Sequence, residues 1–236
     1  MTEFIPAELS FFCTQQQKLR CLRQEFASRF PELELQVSGS IPDLSLRLQP
    51  RANKSPELQQ AWDWLQQELG LDSYSTQGRS LPVVLGDLLQ KKGLTLALAE
   101  SCTGGLIANL LTDISGSSSY FLLSAVTYSN QSKINVLGVS PKTLEEFGAV
   151  HPETAKEMAR GACLVSDADY SLATSGIAGP TGGSPEKPVG TVCLGLAGPK
   201  TIRASTLQSG ILDRGRNKSF FALAALDLLR RELAWI

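Results

Sequence analysis

The chain has 236 residues, enough for one or two domains, and 42% of them are hydrophobic, so it can bury a core and is not disordered. Its 22 Lys and Arg against 23 Asp and Glu leave a net charge of −1 and no general basic surface for nucleic acid. One His and five Cys, with no Cys-x-x-Cys pair, predict no metal site, and scattered thiols are typical of a cytoplasmic protein. No stretch approaches the roughly 20 apolar residues of a membrane span, and the N-terminus lacks the basic flank of a signal peptide.

The first 75 residues are rich in Gln, Glu, Arg and Leu and predict a small α-β-β-α domain. Its predicted elements are a helix over 14–29, strands around 33–37 and 44–48 joined by a turn, and a second helix that Ser55 caps and Pro56 begins. This order is that of a KH-like domain or of half a ferredoxin-like one. Because the G-x-x-G loop that binds a nucleic-acid backbone is missing, we expect a packing or dimerisation module.

The polar stretch 72–78 follows this part, and we interpret it as a linker. The composition changes across it, because the rest of the chain is rich in Gly, Ala, Ser and Thr. We therefore predict two domains, residues 1–75 and residues 80–236.

Strands and helices alternate through the second predicted domain. The predicted helices lie at 81–91, 104–114, 130–137, 152–165 and 217–232, and the predicted strands at 94–99, 121–127, 170–174, 189–196 and 202–207. This alternation predicts an α/β fold with three layers, α/β/α. Ligands bind at the carboxyl ends of strands in such sheets, which directs attention to residues 100–105, 127–133 and 175–184.

Ser101 stands in the sequence Glu-Ser-Cys-Thr-Gly-Gly, residues 100–105, between a predicted strand and a predicted helix. A serine on such a turn, followed by backbone N–H groups at 103–105, offers a nucleophile beside an oxyanion or anion site. A simpler interpretation is that Ser101 or Thr103 caps the helix. Cys102 is a rival nucleophile, but a residue next to the apex of the turn is expected to point back into the sheet.

Tyr128 and Lys133 follow the next predicted strand, and both side chains can reach the same crevice. A serine nucleophile needs a base, and the single histidine, His151, precedes Pro152 where we expect it to cap a helix. A lysine can serve instead when burial lowers its pKa enough for a neutral amine to be present. The alternative is a solvated lysine beside a half-buried tyrosine. Short-chain dehydrogenases also use a Tyr/Lys pair, but with three intervening residues instead of four and with a G-x-G-x-x-G motif, so we reject that assignment.

The third segment, residues 175–190, has glycines at positions 176, 179, 182 and 183, where backbone amides can approach a ligand closely. It is not a Walker A loop, because no Gly-Lys-Ser/Thr follows. We expect a nucleotide phosphate or ribose as its ligand, and the alternative is a rigid surface loop.

These three segments belong to a longer series of motifs. The series reads Glu100-Ser-Cys-Thr-Gly-Gly105, Gly116-Ser-Ser118, Val126-Thr-Tyr-Ser-Asn130 with Lys133, Leu137-Gly-Val139, Gly148-Ala-Val150, Ser175-Gly-Ile-Ala-Gly-Pro180 and Lys187-Pro-Val-Gly-Thr191. In this order and over residues 80–232, the chain resembles the CinA C-terminal domain, or PncC-type nicotinamide-nucleotide amidohydrolase, family. Residues 1–75 look like the small KH-type domain that precedes it in long CinA proteins.

The resemblance implies hydrolysis of nicotinamide mononucleotide to nicotinate mononucleotide and ammonia, in pyridine nucleotide salvage. It places the catalytic serine, tyrosine and lysine on Ser101, Tyr128 and Lys133, with Lys133 taking the serine proton directly or through Tyr128. The predicted substrate-binding residues are Thr103, Gly104, Gly105, Ser175, Gly176, Gly179, Gly182, Gly183 and Arg214, with Lys218 as a further candidate for contact with a substrate anion.

The expected partner is therefore a small-molecule nucleotide substrate, with no cofactor and no metal. We expect neither nucleic acid nor membrane as a partner, and we expect a homo-oligomer, a dimer or larger. A second functional hypothesis stays open at this point, a catalytically silent nucleotide-binding or competence-associated module.

Overall fold

The computed structural model describes residues 8–51 and 57–234. The predicted helix start at Ser55 and Pro56 lies outside the described residues. The chain divides into two compact units between Val84 and Leu85.

The first unit contains a four-stranded antiparallel sheet and two helices. Its elements are β1 (Leu9–Phe12), α1 (Gln16–Arg29), β2 (Leu33–Ser40), β3 (Asp43–Pro50), α2 (Leu58–Leu69) and β4 (Ser73–Ser75). The strand order is β2-β3-β1-β4. This succession and this order are those of a ferredoxin-like β-α-β-β-α-β unit, one of the two topologies that the sequence suggested.

The core of this unit lies between the sheet and the two helices. Leu44, Leu46 and Leu48 of β3 are buried at alternate positions, as the sequence pattern predicted. They belong to one apolar cluster with Phe26 of α1 and Leu65 of α2. The predicted helix over 14–29 begins two residues later, at Gln16.

The predicted α-β-β-α order is incomplete, because β1 and β4 are both strands. The interpretation of 72–78 as a linker is wrong in its first half, since β4 pairs with β1 and places Ser75 opposite Ser10. Ser-Tyr-Ser lacks an apolar alternation, so the backbone of β1, far earlier in the chain, makes it a strand. A short, distant pairing of this kind leaves no periodic signal in the local sequence.

The second unit is an α/β fold built on one five-stranded sheet. The helix α3 (Leu81–Lys92) begins before the division between the units. The elements that follow are β5 (Leu96–Glu100), α4 (Leu106–Thr112), β6 (Phe121–Val126), α5 (Asn130–Leu137), α6 (Pro141–Phe147), α7 (Pro152–Ser166), β7 (Tyr170–Gly176), β8 (Thr191–Gly198), β9 (Thr201–Gln208) and α8 (Arg214–Ala234).

The sheet has the strand order β6-β5-β7-β8-β9. Strands β6, β5 and β7 are parallel, so their carboxyl ends meet at one edge. Strand β8 pairs antiparallel with β7, and β9 pairs antiparallel with β8. Ala97, Ala99 and Ala173 face α7 through a shared apolar cluster. Leu98 and Leu172 alternate with them toward the other face, where α8 packs on β7 and β8. The predicted three layers are therefore present.

One helix of this unit was absent from the prediction. The helix α6 has only seven residues, but it carries a proline at its start, which is a helix-start signal. Glu157 of α7 stabilises that start, because its carboxylate accepts hydrogen bonds from the Ser140 N–H and the Thr143 hydroxyl. Within the described ranges, no helix has both the length and the apolar run that crossing a membrane requires.

Candidate active site

Ser101 occupies a tight turn at the carboxyl end of β5. Its N–H donates to the carbonyl of Thr174 on β7 at 3.0 Å, and its own carbonyl accepts from the Gly104 N–H at 3.1 Å. These two bonds fix the serine between the central strands and the start of α4. The residue is only 8% exposed. We call the edge of the sheet around Ser101, Tyr128 and Lys133 the crevice.

Glu100, the last residue of β5, lies fully buried beneath this turn. Its carboxylate accepts hydrogen bonds from the N–H groups of Gly105, Ile107 and Ala108, at 3.0, 3.2 and 2.9 Å. The hydroxyl of Ser124 on β6 donates a fourth bond at 3.2 Å. The buried carboxylate therefore acts as the cap of α4 and ties that helix to two strands.

This arrangement changes the predicted anion site at 103–105. The Gly104 N–H is bonded to the Ser101 carbonyl and the Gly105 N–H to Glu100, so neither is open to a substrate oxygen. Thr103 is fully buried, and its hydroxyl lies 2.7 Å from that of Thr174. The two glycines instead serve the turn itself, since both adopt positive φ angles, +62° and +90°.

Lys133 lies one turn into α5, whose start is fixed by a reciprocal pair of bonds between Ser129 and Ser132. Its Nζ lies 3.1 Å from Ser101 Oγ, 2.8 Å from the Thr127 carbonyl and 3.4 Å from the Tyr128 carbonyl. The side chain is only 1% exposed. Burial lowers the pKa of Lys133, opposed in part by the nearby Cys102 thiol.

The three oxygen neighbours of Lys133 fit both of its protonation states. An ammonium can donate one N–H to each of them, including Ser101 Oγ, whereas a neutral amine donates its two N–H groups to the carbonyls of Thr127 and Tyr128 and turns its lone pair toward the Ser101 hydroxyl. No carboxylate within residues 8–51 and 57–234 pairs with this lysine to hold its proton. The predicted pairing of Ser101 with Lys133 is thus present as a direct contact.

Tyr128 lies at the mouth of the same crevice and is 65% exposed. Its hydroxyl accepts a hydrogen bond from Arg214 Nη2 at 3.3 Å, and Arg214 Nη1 donates to the Gly179 carbonyl at 2.8 Å. Since Lys133 reaches Ser101 directly, this geometry leaves no gap for the tyrosine hydroxyl to bridge. The structure brings Tyr128 and Arg214 together, and it does not support a proton relay through Tyr128.

The Cys102 thiol is a poor rival for Ser101. The residue is 7% exposed, and burial raises the pKa of its thiol to about 12. A thiol with such a pKa is protonated at neutral pH and is not activated as a nucleophile.

Most predicted residues of the glycine-rich segment pack the loop against its own neighbours. The hydroxyl of Ser175, a buried residue, donates to the Ala149 carbonyl at 2.7 Å. A Cβ on Gly176 would stand 2.6 Å from the Thr191 carbonyl oxygen, and one on Gly183 only 2.8 Å from the Val189 nitrogen. These positions are glycine because the backbone passes there, which accounts for them without a ligand.

Gly179 and Gly182 have positive φ angles, +84° and +87°. Gly179 also presents its carbonyl to Arg214, so the loop borders the crevice there. His151 behaves as predicted, because its Nδ1 accepts from the Glu153 N–H at 3.2 Å and caps α7. Within the described parts of the chain, no three His, Cys, Asp or Glu side chains are grouped as a metal ion would require.

A comparison with protein families shows the family of this chain. The model of the CinA C-terminal domain family matches residues 79–233. The chain belongs to the CinA family. Its relatives include a CinA-like protein of Desulfosudis oleivorans, 50% identical over 212 residues, which are 90% of this chain and 50% of that protein. Another CinA-like protein, from Desulforapulum autotrophicum, is 42% identical over 99% of this chain and 56% of its own length.

The chain thus spans about half the length of these CinA relatives. Among solved structures, the competence/damage inducible protein CihA of Agrobacterium tumefaciens is 41% identical with a TM-score of 0.63, over 64% of this chain and 92% of that one. A CinA-superfamily protein of Klebsiella pneumoniae is 31% identical with a TM-score of 0.64, over 66% of this chain and 97% of that one.

Sequence reasoning missed two residues that build this CinA-type site, Glu100 and Thr174. Glu100 was seen only as the neighbour of Ser101, and the available signal was a carboxylate placed just before a helix start. The Thr174 carbonyl fixes Ser101 across a strand pair, and nothing in the local sequence indicates that bond.

Proposed function

We propose that this chain is a nicotinamide mononucleotide deamidase, which hydrolyses the carboxamide to a carboxylate and releases ammonia without a cofactor. The observation that carries the proposal is the buried Lys133 amine, 3.1 Å from Ser101 Oγ and without a carboxylate partner in the described chain. Family membership supports it, since the family match covers residues 79–233, which include Ser101, Tyr128, Lys133 and Arg214.

In the proposed reaction, neutral Lys133 takes the proton of Ser101 as Oγ bonds to the carboxamide carbon. The resulting Lys133 ammonium then gives a proton to the amide nitrogen, the carbon–nitrogen bond breaks, and ammonia leaves. An ester between Ser101 and the nicotinoyl group remains. Lys133 next takes a proton from water, whose oxygen attacks the ester carbon, and Ser101 regains its hydroxyl as nicotinate mononucleotide departs.

The crevice mouth suits the rest of this substrate. The exposed ring of Tyr128 offers an aromatic face, which attracts a cation such as the substrate's pyridinium. Arg214 is exposed beside it. Within the described chain its guanidinium contacts the neutral oxygens of Gly179 and Tyr128, so its charge is available for the phosphate. We assign Tyr128 to the ring and Arg214 to the phosphate.

The test is release of ammonia from nicotinamide mononucleotide by the purified chain, compared with Ser101→Ala. We expect the variant to lose several orders of magnitude in kcat with its fold intact, because the covalent route is gone. Cys102→Ala is the matched control, and we expect it to keep near-normal turnover.

Three results would contradict the proposal. Turnover of Ser101→Ala at the normal rate would show that Ser101 is not the nucleophile. Loss of activity in Cys102→Ala alone would assign that role to the Cys102 thiol. Binding of the nucleotide to the unaltered chain without any ammonia release would favour the alternative, a catalytically silent nucleotide-binding module.

A further inference from the structure

Attack on a carboxamide leaves negative charge on its oxygen, and hydrolases of this kind place fixed donors around that oxygen. In the turn after β5, most backbone N–H groups are already engaged. Ser101 donates to Thr174, Gly104 to Ser101, and Gly105 to Glu100. Among the described residues, the N–H groups of Cys102 and Thr103 donate to no other residue. Thr103 is fully buried, whereas Cys102, whose N–H lies against its own thiol, keeps a small exposed fraction, 7%.

The Cys102 N–H is therefore the unengaged donor of this turn that belongs to a partly exposed residue, and one backbone donor is fewer than such sites commonly provide. A cation lies against the same turn. The Nζ of Lys218, a half-buried residue of α8, lies 3.5 Å from the point where a Cβ on Gly104 would stand. No ion pair of Lys218 occurs within the part of the chain that the structure describes.

The placement of Lys218 differs from that of Arg214, another cation in the first turns of α8. Arg214 precedes Lys218 by four residues, so the two share one face of the helix. Arg214 reaches the hydroxyl of Tyr128 at the mouth of the crevice, whereas Lys218 lies beside the turn that carries the nucleophile. The charges of Arg214 and Lys218 would therefore contact different parts of a bound nucleotide.

We propose that Lys218 is a further catalytic residue, whose ammonium and the Cys102 N–H together hold the carboxamide oxygen as it becomes an oxyanion. This inference rests on the proposed deamidase function and deepens it. The phosphate is left to Arg214.

The experiment measures kcat and KM for nicotinamide mononucleotide with Lys218→Met and Lys218→Arg. We expect Lys218→Met to lose roughly 10²-fold in kcat, the usual effect of removing one oxyanion donor, with KM within about threefold. Lys218→Arg keeps a charged donor and should recover most of that loss. The matched control is Arg216→Met, which removes one exposed positive charge from the same helix and should leave kcat unchanged.

A second measurement uses the analogue of the mononucleotide that carries an aldehyde in place of the carboxamide. Its carbonyl carbon bonds to Ser101 Oγ, and its oxygen then becomes an oxyanion where the carboxamide oxygen would lie. Its dissociation constant should rise in Lys218→Met by about the factor that kcat loses. A raised KM with unchanged kcat would show a phosphate contact and overturn the inference, as would unchanged kinetics or unchanged aldehyde binding. If the unaltered chain releases no ammonia, the proposed function itself fails.

Discussion

At the scale of single residues, the decisive feature is a lysine that the fold keeps away from water and from any carboxylate partner in the described chain. An ordinary lysine has a pKa of 10.5 and is almost wholly protonated at neutral pH. Burial lowers the pKa of Lys133, and its hydrogen bonds run to two carbonyls and one hydroxyl. These are the conditions under which a lysine can take a proton from serine.

We expect Lys133→Arg to be inactive although it keeps the positive charge, because a guanidinium stays protonated. The loss in kcat should reach roughly 10²- to 10⁴-fold, the usual contribution of a general base. In the unaltered chain kcat should rise with pH through the lowered pKa of Lys133 and then level off. Measuring kcat and KM from about pH 6 to about pH 10 checks both expectations, because this range runs from below neutral pH to near the ordinary pKa of lysine.

Folding stability provides an independent control on this lysine. Because the pKa of Lys133 is lower in the folded chain than in the unfolded one, the unfolded chain binds more protons between those two values. The free energy of unfolding should therefore rise with pH in that window, and Lys133→Met should flatten the rise.

An arginine variant that retains kcat and changes only KM would end the assignment of Lys133 as the base.

The sequence was sufficient to bring Ser101 and Lys133 together, because both follow parallel strands whose carboxyl ends share one edge of the sheet. It was not sufficient for the direction of single hydrogen bonds. Three findings depend on how side chains and backbone are placed in three dimensions. The Gly104 and Gly105 N–H groups bond within the turn, the Ser175 hydroxyl bonds to the Ala149 carbonyl, and Tyr128 contacts Arg214.

At the scale of elements, the start of α4 is the junction that holds the nucleophile's turn. The helix has seven residues, too few to be stable alone, so its position depends on what binds its first turn. Glu100 does this with one carboxylate oxygen bonded to Gly105 and Ile107 and the other to Ala108 and Ser124. The buried carboxylate thus fixes α4 to the strand that delivers Ser101.

We expect Glu100→Gln to lower the free energy of unfolding by about 2–3 kcal/mol. Whichever way the amide turns, its NH2 group replaces an oxygen that accepts two hydrogen bonds, and buried donors lose their acceptor. Urea denaturation followed by circular dichroism measures the effect. Ser124→Ala is the matched control and should lose about 1 kcal/mol, since it removes one hydrogen bond. Equal stability of Glu100→Gln and the unaltered chain would refute this role.

Elements with a repeated apolar pattern were predictable, and those that the prediction missed are all short. The helix α7 and the hairpin of β2 and β3 carry a repeated apolar pattern, and both lie where that pattern indicated. The strands β1 and β4 and the helix α6 have four, three and seven residues. Segments this short take their structure from pairing partners and caps elsewhere in the chain, which local sequence does not contain.

At the scale of the whole molecule, every residue of the proposed site lies in the second unit, from Leu85 onward. The family match over residues 79–233 covers the same region and also includes all of α3. The helix belongs to the second unit from Leu85 onward, where Leu85 and Leu89 are fully buried and the hydroxyl of Tyr120 lies 2.8 Å from where a Cβ on Gly86 would stand.

We therefore expect a chain of residues 79–236 to fold and to release ammonia from nicotinamide mononucleotide with kcat within about twofold of the full chain, as an independent domain should. Beginning at residue 79 keeps α3 whole, whereas a start at Leu85, where the units divide, would cut it. Circular dichroism and thermal unfolding establish that the shorter chain is folded before its kinetics are compared. A folded shorter chain with a large loss of kcat would show that the ferredoxin-like unit takes part in the reaction, which would place part of the active site outside residues 79–236.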